Sequence, residues 1–144
     1  METRATGVPV SLWIVGGVAL LWNLIGVAAF TMQLAMPAET LVAMPDAERA
    51  IYEATPAWMY VFYGLATIGG VVGSLGLLLR RRWAVPVYLV ALIALVVQVV
   101  SSYAVTPAWS VGGASTLVFP VLLVVIATLL WLFSRRLAAR GVLR

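Results

Sequence analysis

The chain has 144 residues, of which 64% are hydrophobic and only 10% charged, with a mean hydropathy of +1.09; a soluble domain carries about 25% charged residues, so most of this single domain, residues 1–144, is expected to face lipid. The formal charge of +4 comes from arginines, which flank apolar runs instead of lining a polar face with interleaved aromatics, and that placement excludes a nucleic-acid partner. With no cysteine and no histidine, disulfides, thiol redox chemistry, imidazole-ligated haem and nearly all zinc or copper sites are excluded, and neither a metal nor a cofactor is expected.

About 20 apolar residues of helix cross a hydrocarbon core roughly 30 Å thick. The first such run is Val10–Met32, which carries no charge. It is too long for a signal-peptide core, and Trp13, Trp22 and Asn23 suit a retained span better than a cleaved leader. A polar connection, Met36–Pro56, follows. In it Pro37 and Pro45 each read as the start of a short helix, with Glu39, Asp46 and Glu48 at the positive end of the dipole. Met44, Ala47, Ile51, Ala54 and Trp58 form one apolar stripe, so this segment is expected to lie on the membrane surface or to cap the bundle. Its carboxylates, Glu39, Asp46, Glu48 and Glu53, fit either a lid that guides a ligand or a solvated connector, and the connector is the simpler reading.

Span two is expected at Trp58–Leu79, span three at Trp83–Tyr103 and span four at Ala114–Phe133, none containing Asp, Glu, Lys or Arg. Pro86 falls in the first turn of span three, where a missing N–H costs nothing. Pro120 falls inside span four and is expected to kink it. The fold class that follows is all-α, a bundle of four transmembrane helices with a short amphipathic helical loop between spans one and two. Eight of nine arginines (Arg4, Arg80, Arg81, Arg82, Arg135, Arg136, Arg140 and Arg144) lie on one side, and only Arg49 shares the acidic loop. The positive-inside rule makes both termini cytoplasmic and the loop external.

Thr-Pro-Ala-Trp occurs twice, at Thr55–Trp58 and Thr106–Trp109. Each copy precedes an inward-running span that ends in arginines, as a duplicated hairpin would leave it and as two span starts under the same local demands would also look. Within the spans, Asn23 lies roughly 20 Å from the arginine side, and Gln98 and Thr67 come to about the same depth by the same rise per residue. Tyr63 lies somewhat further out. An unpaired amide in hydrocarbon costs several kcal/mol, so these groups are expected to face one another or a wet cavity, either as interhelical bonds or as the polar floor of a ligand pocket. Gly69 with Gly73, and Gly70 with Ser74, are small-x-x-x-small pairs that let a helix approach span two, from within the bundle or from a second copy or partner membrane protein. No carboxylate for proton coupling lies in a span, and no catalytic constellation appears.

The strings Trp22–Gln33 (WNLIGVAAFTMQ), Glu48–Trp58 (ERAIYEATPAW) and Gly73–Ala84 (GSLGLLLRRRWA) resemble a family of small bacterial four-span membrane proteins of uncharacterised function. The resemblance implies a bacterial cytoplasmic membrane and brings no catalytic or binding residues with it. Members often carry the label of sugar transporter, yet the Pro-Gln pair of small three-span sugar transporters does not occur here. The expected function is a non-enzymatic accessory subunit or a binder of a small lipidic or amphipathic ligand. The alternative is a small-solute transporter acting as a homo-oligomer.

Overall fold

The computed structural model describes residues 7–144, so Arg4 lies outside the described residues. Every regular element among them is helical: α1 (Val10–Leu34), α2 (Ala38–Ala43), α3 (Asp46–Ala54), α4 (Ala57–Leu78), α5 (Ala84–Val105), α6 (Ala108–Gly112), a 3-10 turn (Gly113–Leu117) and α7 (Val118–Ala139). Four stretches, α1, α4, α5 and Ala108–Ala139, are long and apolar enough to cross a bilayer. The protein is an all-α, multi-pass membrane protein, and its outward face is apolar, with Val18, Ile25, Phe119 and Leu129 all well exposed.

The prolines set where the helices begin. Pro9, Pro37, Pro45, Pro56 and Pro107 each stand directly ahead of a helix. Pro86 and Pro120 are the third residues of α5 and α7. A first-turn residue has no intrahelical acceptor for its N–H, so a proline there breaks nothing.

This corrects two expectations for span four. Its helix runs from Val118 to Ala139 instead of Ala114 to Phe133, and Pro120 lies in the opening turn, not in the interior. The break comes upstream, where Gly112 ends α6 and Gly113 takes φ +56, a left-handed conformation open to glycine at no steric cost. The Tyr103 hydroxyl then pins the 3-10 turn, donating to the Thr116 carbonyl at 2.8 Å. Pro120→Ala is expected to change stability by no more than about 1 kcal/mol, through the unfolded chain alone. Thermal unfolding in detergent checks this, with helicity by circular dichroism unchanged.

The spans pack in chain order, α1 on α4, α4 on α5 and α5 on α7. Glycines on α4 admit the neighbours. The Phe30 ring of α1 lies over Gly64, while Ala91 and Tyr88 of α5 lie over Gly69 and Gly73. The Gly69–Gly73 pair is therefore taken up by α5 of the same chain. The fourth seam, between α1 and α7, is the loosely packed one.

At the arginine-rich end the bundle is closed by its own C-terminal segment. Two helices terminate there in the same way. After α4, Arg80 adopts φ 57, with Arg80 N–H donating to Leu77 O at 3.0 Å and Arg81 N–H to Gly76 O at 2.8 Å. After α7, Gly141 adopts φ 71, with Gly141 N–H on Ala138 O at 3.1 Å and Val142 N–H on Leu137 O at 2.9 Å. Both are Schellman ends, in which a left-handed residue lets two orphan carbonyls be satisfied. The chains beyond them pair, Arg82 N–H with Arg144 O at 2.9 Å and Arg144 N–H with Arg80 O at 2.7 Å. The Arg80 guanidinium adds a bond from Nε to Val142 O at 3.1 Å. This ladder sets Val142 and Leu143 into a buried cluster with Leu12, Leu77, Ala84, Tyr88 and Leu137.

Candidate functional site

Above that apolar seal, toward the loop end, a cavity of about 210 Å³ lies between all four spans. Its walls are chiefly apolar, among them Trp22 of α1, Leu95 of α5 and Phe119, Leu123 and Ile126 of α7. Asn23, Tyr63, Thr67 and Gln98, the polar residues singled out from the sequence, all line it. Their side chains do not bond to one another.

Asn23 instead reaches toward the arginine end. Its amide Nδ2 donates to Ala19 O at 2.8 Å and to Ser74 Oγ at 3.4 Å. Ser74 is fully buried, donates its single proton to Gly70 O at 2.7 Å, and lies 2.9 Å from the Tyr88 hydroxyl. Since the serine proton is already used, the Tyr88 hydroxyl is the donor in that pair. Ser74 therefore gives one bond and accepts two, and Asn23, Ser74 and Tyr88 close the cavity floor as a three-helix knot across α1, α4 and α5. Gly70 is part of the knot because the Asn23 amide oxygen occupies the place where a Cβ would stand.

Thr67 turns back on its own helix, donating to Tyr63 O at 3.0 Å, while its methyl group packs against Gly26 of α1. The Tyr63 ring stacks edge-on with Phe30, centroids 5.1 Å apart. Neither the Gln98 amide nor the Tyr63 hydroxyl has a hydrogen-bond partner among the described residues, and both residues line the cavity. Sequence reasoning passed over Tyr88 and saw Ser74 only as a small packing residue. A hydroxyl-bearing ring in the run Val85–Ala94 was the available signal, since a phenol inside hydrocarbon must find a partner.

The loop carboxylates stand elsewhere. Glu39, Asp46, Glu48 and Glu53 are all exposed, and none lines the cavity. The loop is held by main-chain carbonyls. Arg49 donates from Nε to Leu41 O at 3.1 Å and from Nη2 to Val42 O and Met44 O at 2.8 and 2.9 Å, closing the C-terminus of α2. Its pairing with Asp46 at 3.5 Å is at the surface, where such a contact adds little. The Tyr52 hydroxyl ties α3 to Gln33 O at 3.2 Å. Of the apolar stripe, only Met44 and Ile51 are partly covered, because α3 packs only sparsely on the bundle and leaves the rest to the headgroup region.

The two Thr-Pro-Ala-Trp copies share their local geometry. Thr55 and Thr106 both end a helix and donate to the carbonyl four residues back, at 2.8 and 2.6 Å. The first copy leads straight into the 22-residue α4, the second into the five-residue α6.

A second concavity, about 720 Å³, runs along the outer face of α4 between α1 and α5, lined by Leu34, Val61, Ile68, Val72 and Val90 among others. It offers lipid chains a surface but brings no converging polar groups. The chemistry of this molecule is therefore concentrated in the inner cavity, whose polar groups accept and donate hydrogen bonds and carry no charge. No protein-family model, no curated protein and no solved structure matches the chain.

Proposed function

We propose that this protein is a non-enzymatic membrane component that binds a small lipidic or amphipathic molecule between its four spans. The observation that carries the reading is Gln98, which lines a chiefly apolar cavity of about 210 Å³ with its amide bonded to no other described residue. Leaving such a group unpaired in hydrocarbon costs on the order of several kcal/mol, and a bound polar head removes that cost. The arginine-rich end is cytoplasmic in this reading, as eight arginines on one side require. The membrane is the bacterial inner membrane, as the resemblance to small bacterial four-span proteins implies.

Transport is the weaker reading. A transporter opens its site to both faces, and here the cytoplasmic end is packed with Leu12, Leu77, Leu137 and Leu143. Main-chain sites for a coupling ion come from broken helices, and in this chain every proline precedes a helix or lies in its first turn.

The test is native mass spectrometry of protein released from nanodiscs, comparing the wild type with Ala127→Phe, which fills the cavity from α7. The wild type is expected to retain a small-molecule adduct and the variant to lose it while keeping its unfolding temperature. An adduct retained equally by both, or by neither, sinks the reading.

A further inference from the structure

The inner cavity also limits what its occupant can be, in size, in charge and in the position of its polar group; this rests on the reading of the cavity as a binding site. On size, an apolar cavity of about 150 Å³ takes one benzene ring. The volume of about 210 Å³ therefore suits a molecule near the size of a single ring with small substituents and is far too small for a phospholipid. On charge, no Asp, Glu or Arg lines it, so an ionised ligand would be desolvated with no counter-charge. On position, Asn23 and Tyr88 are committed to Ser74 and Thr67 to its own helix. That leaves the Gln98 amide, the Tyr63 hydroxyl and the Trp22 indole without a side-chain hydrogen bond among the described residues, and of these Gln98 stands one turn from Leu95 on α5, toward the loop end. Leu95, Leu123 and Ile126 offer the apolar wall beside it. The entry route follows from the packing: the arginine end is sealed, and the α1–α7 seam is the one the helices leave loosely packed.

We propose that the cavity takes a neutral, single-ring molecule bearing a hydroxyl or carbonyl oxygen, with that oxygen hydrogen-bonded to Gln98 and the ring against Leu95, Leu123 and Ile126. The ligand comes from the bilayer, where molecules of this polarity partition.

The test is calorimetric titration of the full chain in nanodiscs with phenol, toluene and benzoate, against empty nanodiscs. Phenol is expected to bind saturably at one site, with toluene and benzoate each weaker by about tenfold or more. Gln98→Leu is expected to bring phenol down to the level of toluene while the thermal unfolding midpoint holds. Ala127→Phe is expected to abolish binding of all three, which keeps the test alive if Gln98→Leu fails to fold. Toluene or benzoate matching phenol overturns the proposal, and so does phenol binding undiminished in a folded Gln98→Leu. A lipid-sized adduct in native mass spectra with no phenol binding overturns this inference alone and leaves the cavity reading standing. Absence of both removes both.

Discussion

Gly70→Ala is expected to destabilise the protein by about 2–4 kcal/mol, although intrinsic helix propensity alone favours alanine over glycine by about 1 kcal/mol. The sign is set by Asn23. Its amide oxygen lies where the new methyl group would go, so the side chain must leave. It then gives up its bonds to Ala19 O and Ser74 Oγ, each worth about 0.6–2 kcal/mol inside a membrane. Overpacking adds about 1–3 kcal/mol. Asn23→Ala alone is expected to cost about 1–2 kcal/mol, and the double variant is expected to be no worse than that single one. A double-mutant cycle on thermal unfolding in one detergent measures the coupling, expected at about 2 kcal/mol. Simple additivity would show that the amide and the glycine are independent, contrary to the geometry.

The second large effect is expected at the C-terminal seal. Leu143 is 2% exposed and sits among Leu12, Leu77 and Leu137, so Leu143→Ala is expected to cost about 2–4 kcal/mol through lost contacts and the space left behind. Leu79→Ala, at a position 65% exposed on the same end, is expected to cost well under 1 kcal/mol. The two variants remove the same atoms, which makes the difference a measure of burial and not of composition. Hydrogen exchange supplies a local readout. The Arg82 and Arg144 amides, which close the two-bond ladder, are expected to lose protection in Leu143→Ala, while the Tyr88 amide keeps most of its own.

The spans were legible because bilayer thickness imposes a run of about 20 apolar residues that nothing else in the chain imitates. Three of them end within two residues of the expected positions. The start of the fourth was not legible. Gly113 and the short 3-10 turn carry no charge, so a span-length hydropathy window runs across them into the helix that follows. The four polar residues lining the cavity were legible by depth, but their partners were not. Counting from helix ends assumes that all spans start at one level, and Gly16 of α1 lies against Leu78 at the end of α4, so α1 begins well below its neighbour. Side chains on α1 also lean toward its N-terminus. Both effects bring the Asn23 amide down to Ser74 instead of across to Thr67 or Gln98. The terminal ladder left no trace in the residue pattern, because main-chain pairing between Arg82 and Arg144 depends on two left-handed turns and hardly on side-chain identity.

That ladder carries a consequence for biosynthesis. Leu12 lies at the start of α1 and Leu143 after α7, so the arginine-rich end of the bundle has a gap until the segment after α7 has been made and docked. The earlier spans can insert and pair α1 with α4 and α4 with α5 while that gap persists. Closure is then a late, single event that couples the start of α1 to the segment after α7, and a chain without that segment carries an exposed apolar hollow at the arginine-rich end. The residues beyond Ala139 thus complete a core that the first span begins.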